Sequence, residues 1–240
     1  MRWLDSTMPL TVYIAPYRFY RNQDDGAMYM GMAANAFNYW EQVTNGRVRF
    51  VGVGSLLESQ INLDWKRVDR SSLGTCYFNK DAGNRLYSAE IEIGISDGLI
   101  HAEYMNKNEV YHTILHEVGH AIGLGHSPYR DDIMYTPHQY GVTELSRKDI
   151  QTVNGLYTFP NNSSASEVAS QYGCVTNDMD EVVMHALGKS AKNVQQQFKR
   201  KKKRDLLEEQ EIIAAMQKHH VLTSQKIKLP NPYGKKYPFI

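Results

Sequence analysis

The stretch that most constrains the fold is HEVGHAIGLGH, at residues 116–126. Its first two histidines, His116 and His120, are four residues apart, so on an α-helix their imidazoles project from the same face. Gly123 favours the end of that helix, because glycine readily adopts the left-handed conformation that turns the chain back. We therefore expect a helix and then a sharp turn that brings His126 to the side of the first two histidines.

Three histidines at this spacing are typical of a catalytic zinc site. A tetrahedral Zn²⁺ accepts imidazole nitrogens at about 2.0–2.1 Å, and three protein ligands leave its fourth position for water. Glu117 lies next to the first ligand and is placed to hold that water and to take its proton. The sequence therefore predicts His116, His120 and His126 as zinc ligands and Glu117 as the catalytic residue.

Runs of alternating apolar residues and runs at helical spacing follow one another along residues 1–157. Strands are predicted at 11–14, 48–51, 61–65 and 88–95, and helices at 25–43, 109–123 and 144–156. A strand-rich front, a central helix and a helical end are typical of an α+β or mixed α/β domain.

The composition is that of a globular protein, with 240 residues of which 42% are hydrophobic and 22% charged. It excludes collagen-like, fully disordered and disulfide-scaffold proteins. No apolar run approaches the roughly 18 residues that a membrane helix needs, so we expect no membrane span. No export signal is visible near the start, and the two cysteines, Cys76 and Cys174, do not settle the compartment.

The charge distribution divides the chain into two parts. Residues 1–160 carry a formal charge of −4 and residues 161–240 one of +5. The polar stretch at 161–166 resembles a linker, so we predict a catalytic domain over 1–160 and a basic, mainly helical tail over 161–240. The six basic residues at 199–204 are more typical of a solvated helix face than of a nucleic-acid site, and nucleic acid is not an expected partner.

The histidine motif resembles the metzincin signature H-E-x-x-H-x-x-G-x-x-H, whose second element is a Met-turn shortly downstream. Residues 131–136 resemble that turn, with Met134 as its methionine. Within the metzincins the sequence is most similar to the matrixins, or matrix-metalloproteinase-like peptidases. The similarity covers residues 3–157 and rests on GLGHS at 123–127, IMY at 133–135, LS at 145–146, DI at 149–150 and the spacing of Ala34, Phe37 and Trp40.

The resemblance implies a metzincin-type domain with a twisted, mostly parallel sheet, an active-site helix and a C-terminal helix. It also implies a zinc-dependent metalloendopeptidase in which a zinc-bound water, activated by Glu117, attacks the peptide bond of a polypeptide substrate. Met134 should lie beneath the zinc, and Asp149 should fix the Met-turn by hydrogen bonds. The strand at 88–95 resembles the strand that borders the family's cleft.

The resemblance places a primed-side specificity pocket after the Met-turn. Its walls should come from Tyr135, Thr136, Pro137 and Tyr140. His112, one turn before His116, sits where family members differ and where the depth of the pocket is set. The alternative, that His112 is an ordinary polar residue of the first helical turn, fits the sequence equally well.

The chain departs from the matrixin pattern in its metal sites. Residues 51–100 contain no histidine, and His101 is a poor substitute for the ligands of the family's structural zinc. We therefore expect one zinc ion and leave calcium open.

The usual N-terminal latency segment is also missing from this sequence. Cys174 is a candidate latency ligand, because a thiolate can occupy the fourth position of the zinc. It is otherwise an inert thiol or the disulfide partner of Cys76. An alternative function makes the tail at 161–240 the main functional part and the peptidase domain latent or accessory. The family is usually secreted, but the compartment of this chain, its oligomeric state and its natural substrate do not follow from the sequence.

Overall fold

A computed structural model describes residues 1–19, 23–67, 73–95, 107–159 and 170 of the chain. Its strands are β1 (Leu10–Ile14), β2 (Phe50–Gly52), β3 (Ile61–Arg67), β4 (Gly74–Lys80) and β5 (Leu86–Ile95). Its α-helices are α1 (Gln23–Val43), α2 (Lys107–Ala121) and α3 (Arg147–Leu156). None of the helices within these residues is long and apolar enough to cross a membrane.

The five strands form one mostly parallel sheet in the order β2-β1-β3-β5-β4. β1 pairs with β2 and β3 in parallel, and β3 pairs with β5 in parallel. β4 alone runs antiparallel, against β5, and forms one edge of the sheet. This mixed, mostly parallel sheet with helices confirms the predicted fold class.

The strand at the β4 edge of the sheet is not the one that the sequence predicts. The strand predicted at 88–95 is β5, which lies between β3 and β4 and so does not form an edge of the sheet. The edge belongs to β4, which we did not predict. Most β4 side chains are half-buried or exposed, so the strand lacks the apolar alternation by which the others were found.

The helix boundaries also differ by a few residues from those predicted. α2 ends at Ala121, two residues before Gly123. α3 begins at Arg147 rather than at 144, because the Ser146 side chain accepts hydrogen bonds from the amides of Lys148 and Asp149. A serine in this position is a strong start signal for a helix, since it satisfies otherwise unpaired amides.

The core is built from the apolar face of the sheet and the two longer helices. Ile61, Leu63, Ile91 and Ile93 are fully buried on alternate positions of β3 and β5, as expected for strands with one buried face. α1 contacts α2, and α2 packs against β4 and β5. The indole of the fully buried Trp40 donates to the carbonyl of Leu115 at 3.0 Å, which fixes α1 against α2.

The first residues of the chain close over the ends of α2 and α3. The buried indole of Trp3 donates to the carbonyl of Ala121 at 2.8 Å, and the Tyr157 hydroxyl donates to that of Ile122 at 2.9 Å. The guanidinium of Arg2 donates to the carbonyl of Leu156 at 3.3 Å. These donors satisfy carbonyls that a helix leaves unpaired at its C-terminus.

Candidate active site

α2 carries the first two candidate ligands on one face. His116 and His120 are four residues apart on this helix, and their ring centroids are 4.7 Å apart. α2 packs against α1 and the sheet, so that most of its other side chains are buried. The helix therefore presents the two imidazoles from a rigid element, which a metal site needs.

The turn after α2 brings His126 to the other two histidines. Gly123 adopts a φ of +101°, and the amide of Leu124 donates to the carbonyl of Gly119 at 3.0 Å. A side chain at position 123 would also clash with the carbonyl of Met1. Gly123 is therefore required both for the left-handed conformation and for the close approach of the N-terminal segment.

The three imidazoles converge through their Nε2 atoms. Nε2 of His120 lies 3.0 Å from that of His116 and 3.1 Å from that of His126. Ligand nitrogens around a tetrahedral zinc are about 3.4 Å apart, from Zn–N distances of about 2.0–2.1 Å. The three histidines therefore form a cluster of a size that fits a metal ion.

The tautomers of two of these histidines are set by backbone carbonyls. Nδ1 of His116 lies 2.7 Å from the carbonyl of Ile133, and Nδ1 of His120 lies 2.8 Å from that of Leu124. A carbonyl only accepts, so each Nδ1 carries the proton, and a neutral ring then has its lone pair on Nε2. Lone pairs that face one another at 3.0 Å repel unless a cation lies between them, which fits a zinc ion held by these residues.

The environment of His116 favours the unprotonated form that binds metal. Burial lowers its pKa well below the ordinary value, and the neighbouring His120 and His126 lower it further. Desolvation disfavours the charged imidazolium, and so do nearby rings that can also become charged. At neutral pH the ring is therefore available as a ligand.

Glu117 is buried beside the first ligand and in contact with β4. Its side chain packs against the backbone of Gly74, so closely that a Cβ there would lie 2.7 Å from Glu117 Oε1 and 2.6 Å from Thr113 Cγ2. Burial raises the pKa of Glu117 to about 8, an effect that Lys66 partly opposes. A bound cation would favour the carboxylate, as a general base requires.

The segment at 131–136, which resembles a Met-turn, lies against α2. The Met134 side chain packs so closely on Gly119 that a Cβ at that position would clash with its sulfur. The amide of Ser127 donates to the carbonyl of Met134 at 2.6 Å, which ties the segment after His126 to the turn. The Asp149 carboxylate accepts from the amides of Ile133 at 2.9 Å and Met134 at 3.3 Å. The expected hydrogen bonds from Asp149 to the Met-turn are therefore present.

The predicted pocket residues follow the Met-turn, and they differ in exposure. Tyr135 is buried, Thr136 and Pro137 are half-buried, and Tyr140 is 59% exposed. His112 is buried, with its Nδ1 2.7 Å from the carbonyl of Val142, and burial lowers its pKa to about 4. Its ring is thus neutral near pH 7 and tied to the segment after the Met-turn, and its role in setting the depth of a pocket stays a prediction.

Sequence reasoning missed three residues of the site region. Gly74 contacts Glu117, and Glu109 and His138 form a pair beside His112. Of these three, only Glu109 could have been noticed in the sequence, because an acidic residue in the first turn of a helix stabilises its N-terminus.

The structure describes one of the two cysteines. Cys76 carries a free thiol, and burial, with a contribution from Glu117, raises its pKa. Cys174, His101 and all of the tail except residue 170 lie outside the described residues, so the predictions on latency, on a single zinc ion and on the domain boundary stay predictions.

Comparison with known proteins agrees with this geometry. The matrixin family model, Peptidase M10, matches residues 3–158. The chain is 45% identical over 53 residues to "Probable matrix metalloproteinase 095L" of Invertebrate iridescent virus 3, which covers 21% of this chain and 14% of that protein. It is 26% identical over 170 residues to "Putative matrix metalloproteinase" of Trichoplusia ni ascovirus 2c, which covers 63% of this chain and 32% of that protein.

A third similarity is to a nematode protein. The chain is 33% identical over 58 residues to "Matrix metalloproteinase-A" of Caenorhabditis elegans, which covers 23% of this chain and 11% of that protein. The aligned regions thus span between 11% and 32% of the length of these three relatives.

Proposed function

Since the chain belongs to the matrixin family, we propose that it is a metalloendopeptidase that uses one zinc ion to hydrolyse peptide bonds. The observation that carries the proposal is the convergence of three histidine Nε2 atoms beside a buried glutamate. A purely structural zinc is closed by four protein ligands, whereas three protein ligands leave a position open. His116, His120 and His126 would hold the ion.

The catalytic chemistry is divided between the metal and Glu117. When bound, Zn²⁺ supplies a Lewis acid that polarises the scissile carbonyl and makes water acidic enough to react near neutral pH. Glu117 takes the proton of the attacking water and passes it to the leaving amine. The packing of the Glu117 side chain against Gly74 limits the rotamers that Glu117 can adopt. The Nδ1 hydrogen bonds of His116 and His120 keep both rings oriented throughout the reaction.

The substrate we propose is an extended polypeptide that pairs with the outer edge of β4, on which no other strand of the described residues lies. An edge strand presents unpaired backbone groups, to which an extended peptide can add as a further strand. β4 begins at Gly74, in contact with Glu117, so a peptide along this edge would pass close to the base. The pocket residues after the Met-turn would then receive a primed-side side chain.

A peptide library tests the proposed function directly. The purified chain, loaded with about one zinc per molecule, should cleave a defined subset of peptides at internal bonds. The cleavage sites and the metal content are read by mass spectrometry. A chain that binds zinc stoichiometrically and cleaves no peptide would instead be a zinc-binding module without catalytic activity.

A second prediction concerns the contact between Gly74 and Glu117. The substitution Gly74→Ala puts a methyl group 2.7 Å from Glu117 Oε1, so the side chain must shift. Misplacing a reacting group by about 1 Å costs up to about a hundredfold in rate, and we expect kcat/KM to fall at least about tenfold with the zinc content unchanged.

The matched control for this prediction is Gly54→Ala. An added Cβ at Gly54 meets no heavy atom within 4 Å, so this variant should keep wild-type kcat/KM. Wild-type activity in Gly74→Ala would show that Glu117 is not positioned by this contact.

A further inference from the structure

A second cluster of titratable side chains lies at the start of α2, apart from the zinc ligands. Glu109 is in the first turn of the helix, and its side chain is only 3% exposed. One carboxylate oxygen, Oε2, pairs with Nε2 of His138, and the other, Oε1, accepts from the amide of Gly141 at 3.2 Å. Both oxygens of a buried carboxylate are therefore committed to the segment at 136–142, which we call the pocket loop.

His112 adds two further contacts from α2 to the pocket loop. Its Nδ1 donates to the carbonyl of Val142 at 2.7 Å, and its ring lies 4.2 Å from that of His138, centroid to centroid, in an edge-on arrangement. α2 thus holds the pocket loop at positions 138, 141 and 142. The side chain of Glu109 alone contacts two of these three positions, 138 and 141.

Outside α2, Val142 packs against the hydrophobic core, and the side chain of Gln139 makes local and exposed hydrogen bonds. Gln139 Nε2 donates to the carbonyl of Pro137 at 2.7 Å, and the exposed Arg130 donates to Gln139 Oε1 at 2.7 Å. Such exposed contacts contribute little to stability. A buried carboxylate is very unfavourable without partners. The pairing of the Glu109 carboxylate with the pocket loop therefore strongly favours the position of the loop against α2.

We propose that Glu109 is a positioning residue that, through His138 and Gly141, fixes the pocket loop and thereby sets primed-side selectivity. This inference rests on the proposed peptidase function. An enzyme discriminates between substrate side chains by binding their transition states differently, which requires a pocket wall of fixed conformation. Pro137 precedes His138 in the chain and Tyr140 follows it. The contact of Glu109 with His138 therefore restricts the movement of both of these predicted wall residues.

Hydrogen exchange tests the hold on the loop without reference to activity. In the zinc-loaded full chain, Glu109→Ala should speed exchange of the amides at 138–142 by about tenfold or more, while the amides of α3 exchange as before. Glu109→Gln and His138→Gln keep the side-chain size and carry the test if the alanine variant does not fold. Glu90→Gln, an exposed residue of β5, is the matched control and should change nothing.

The cleavage profile tests the consequence for selectivity. For peptides that differ only in the first primed-side residue, the ratio of the best to the second-best kcat/KM should fall by about fivefold to tenfold in Glu109→Gln, with zinc content unchanged. General destabilisation would lower every kcat/KM together and leave that ratio as it was. The double variant Glu109→Gln/His138→Gln should give the same profile as Glu109→Gln, since the loss of the Glu109 carboxylate already breaks its pair with His138.

Different results separate the two proposals. Faster exchange together with a flattened profile would support the role of Glu109. Unchanged exchange at 138–142, or an unchanged profile in an active Glu109→Gln variant, would overturn it and leave the peptidase function standing. A wild-type chain that cleaves no peptide would overturn the peptidase function and, with it, any role of Glu109 in selectivity.

Discussion

Replacing Glu117 by alanine should lower peptide hydrolysis by about a hundredfold or more, because a positioned general base contributes about 10²–10⁴-fold to the rate. The substitution removes none of the three histidines, so zinc should stay bound at about one ion per chain. Activity is measured as kcat/KM on a cleaved library peptide, and zinc by elemental analysis of the same preparation.

Two further variants separate the basicity of Glu117 from its packing. Glu117→Gln keeps the shape against Gly74 but cannot take a proton, so it should be as inactive as the alanine variant. Glu58→Ala removes an exposed carboxylate of the short helix after β2 and should be fully active. Hydrolysis at the wild-type rate by Glu117→Gln would exclude this residue as the base.

Removing the zinc should abolish hydrolysis and also lower thermal stability. Chelation by ortho-phenanthroline should end peptide cleavage, and added Zn²⁺ should restore it, since three histidine nitrogens would hold the ion by coordinate bonds that a chelator can replace. A ligand present at a thousandfold over its Kd stabilises the fold by about 4 kcal/mol. For a domain of this size, the loss corresponds to a fall in Tm of roughly 8 °C or more.

The controls for zinc removal are chemical. The meta isomer of phenanthroline cannot chelate and should leave both activity and Tm unchanged, and serine-protease reagents should have no effect on cleavage. A chain that keeps full activity after its zinc has been shown to be removed would contradict a metal-dependent mechanism.

The parts of this protein that local sequence rules govern were predictable. The shared face of His116 and His120 follows from helix geometry, and the turn at Gly123 follows from the left-handed conformation that its φ of +101° confirms. The strands β3 and β5 have one buried and one solvated face, so their alternation was visible in the sequence.

The parts that depend on tertiary contacts were not predictable. β4 lies at the sheet edge with little buried surface, so apolar alternation could not find it, and the cleft edge was assigned to β5 in error. The contact of Gly74 with Glu117 joins residues 43 positions apart, and that of Glu109 with His138 spans 29. Such long-range contacts cannot be inferred from residue type and spacing in a single sequence.

The closure of the first residues over α2 and α3 brings the two ends of the predicted catalytic domain, residues 1–160, side by side. Arg2 meets the carbonyl of Leu156 across 154 positions of sequence, and Trp3 and Tyr157 pair with consecutive carbonyls at the end of α2. A short linker from Phe159 to Met1 would therefore make the domain a ring, which can be reopened at an exposed turn such as that around Gly54. In such a circular permutant the zinc ligands, the base and the Met-turn keep their neighbours, because the site depends on which segments touch and not on which is synthesised first.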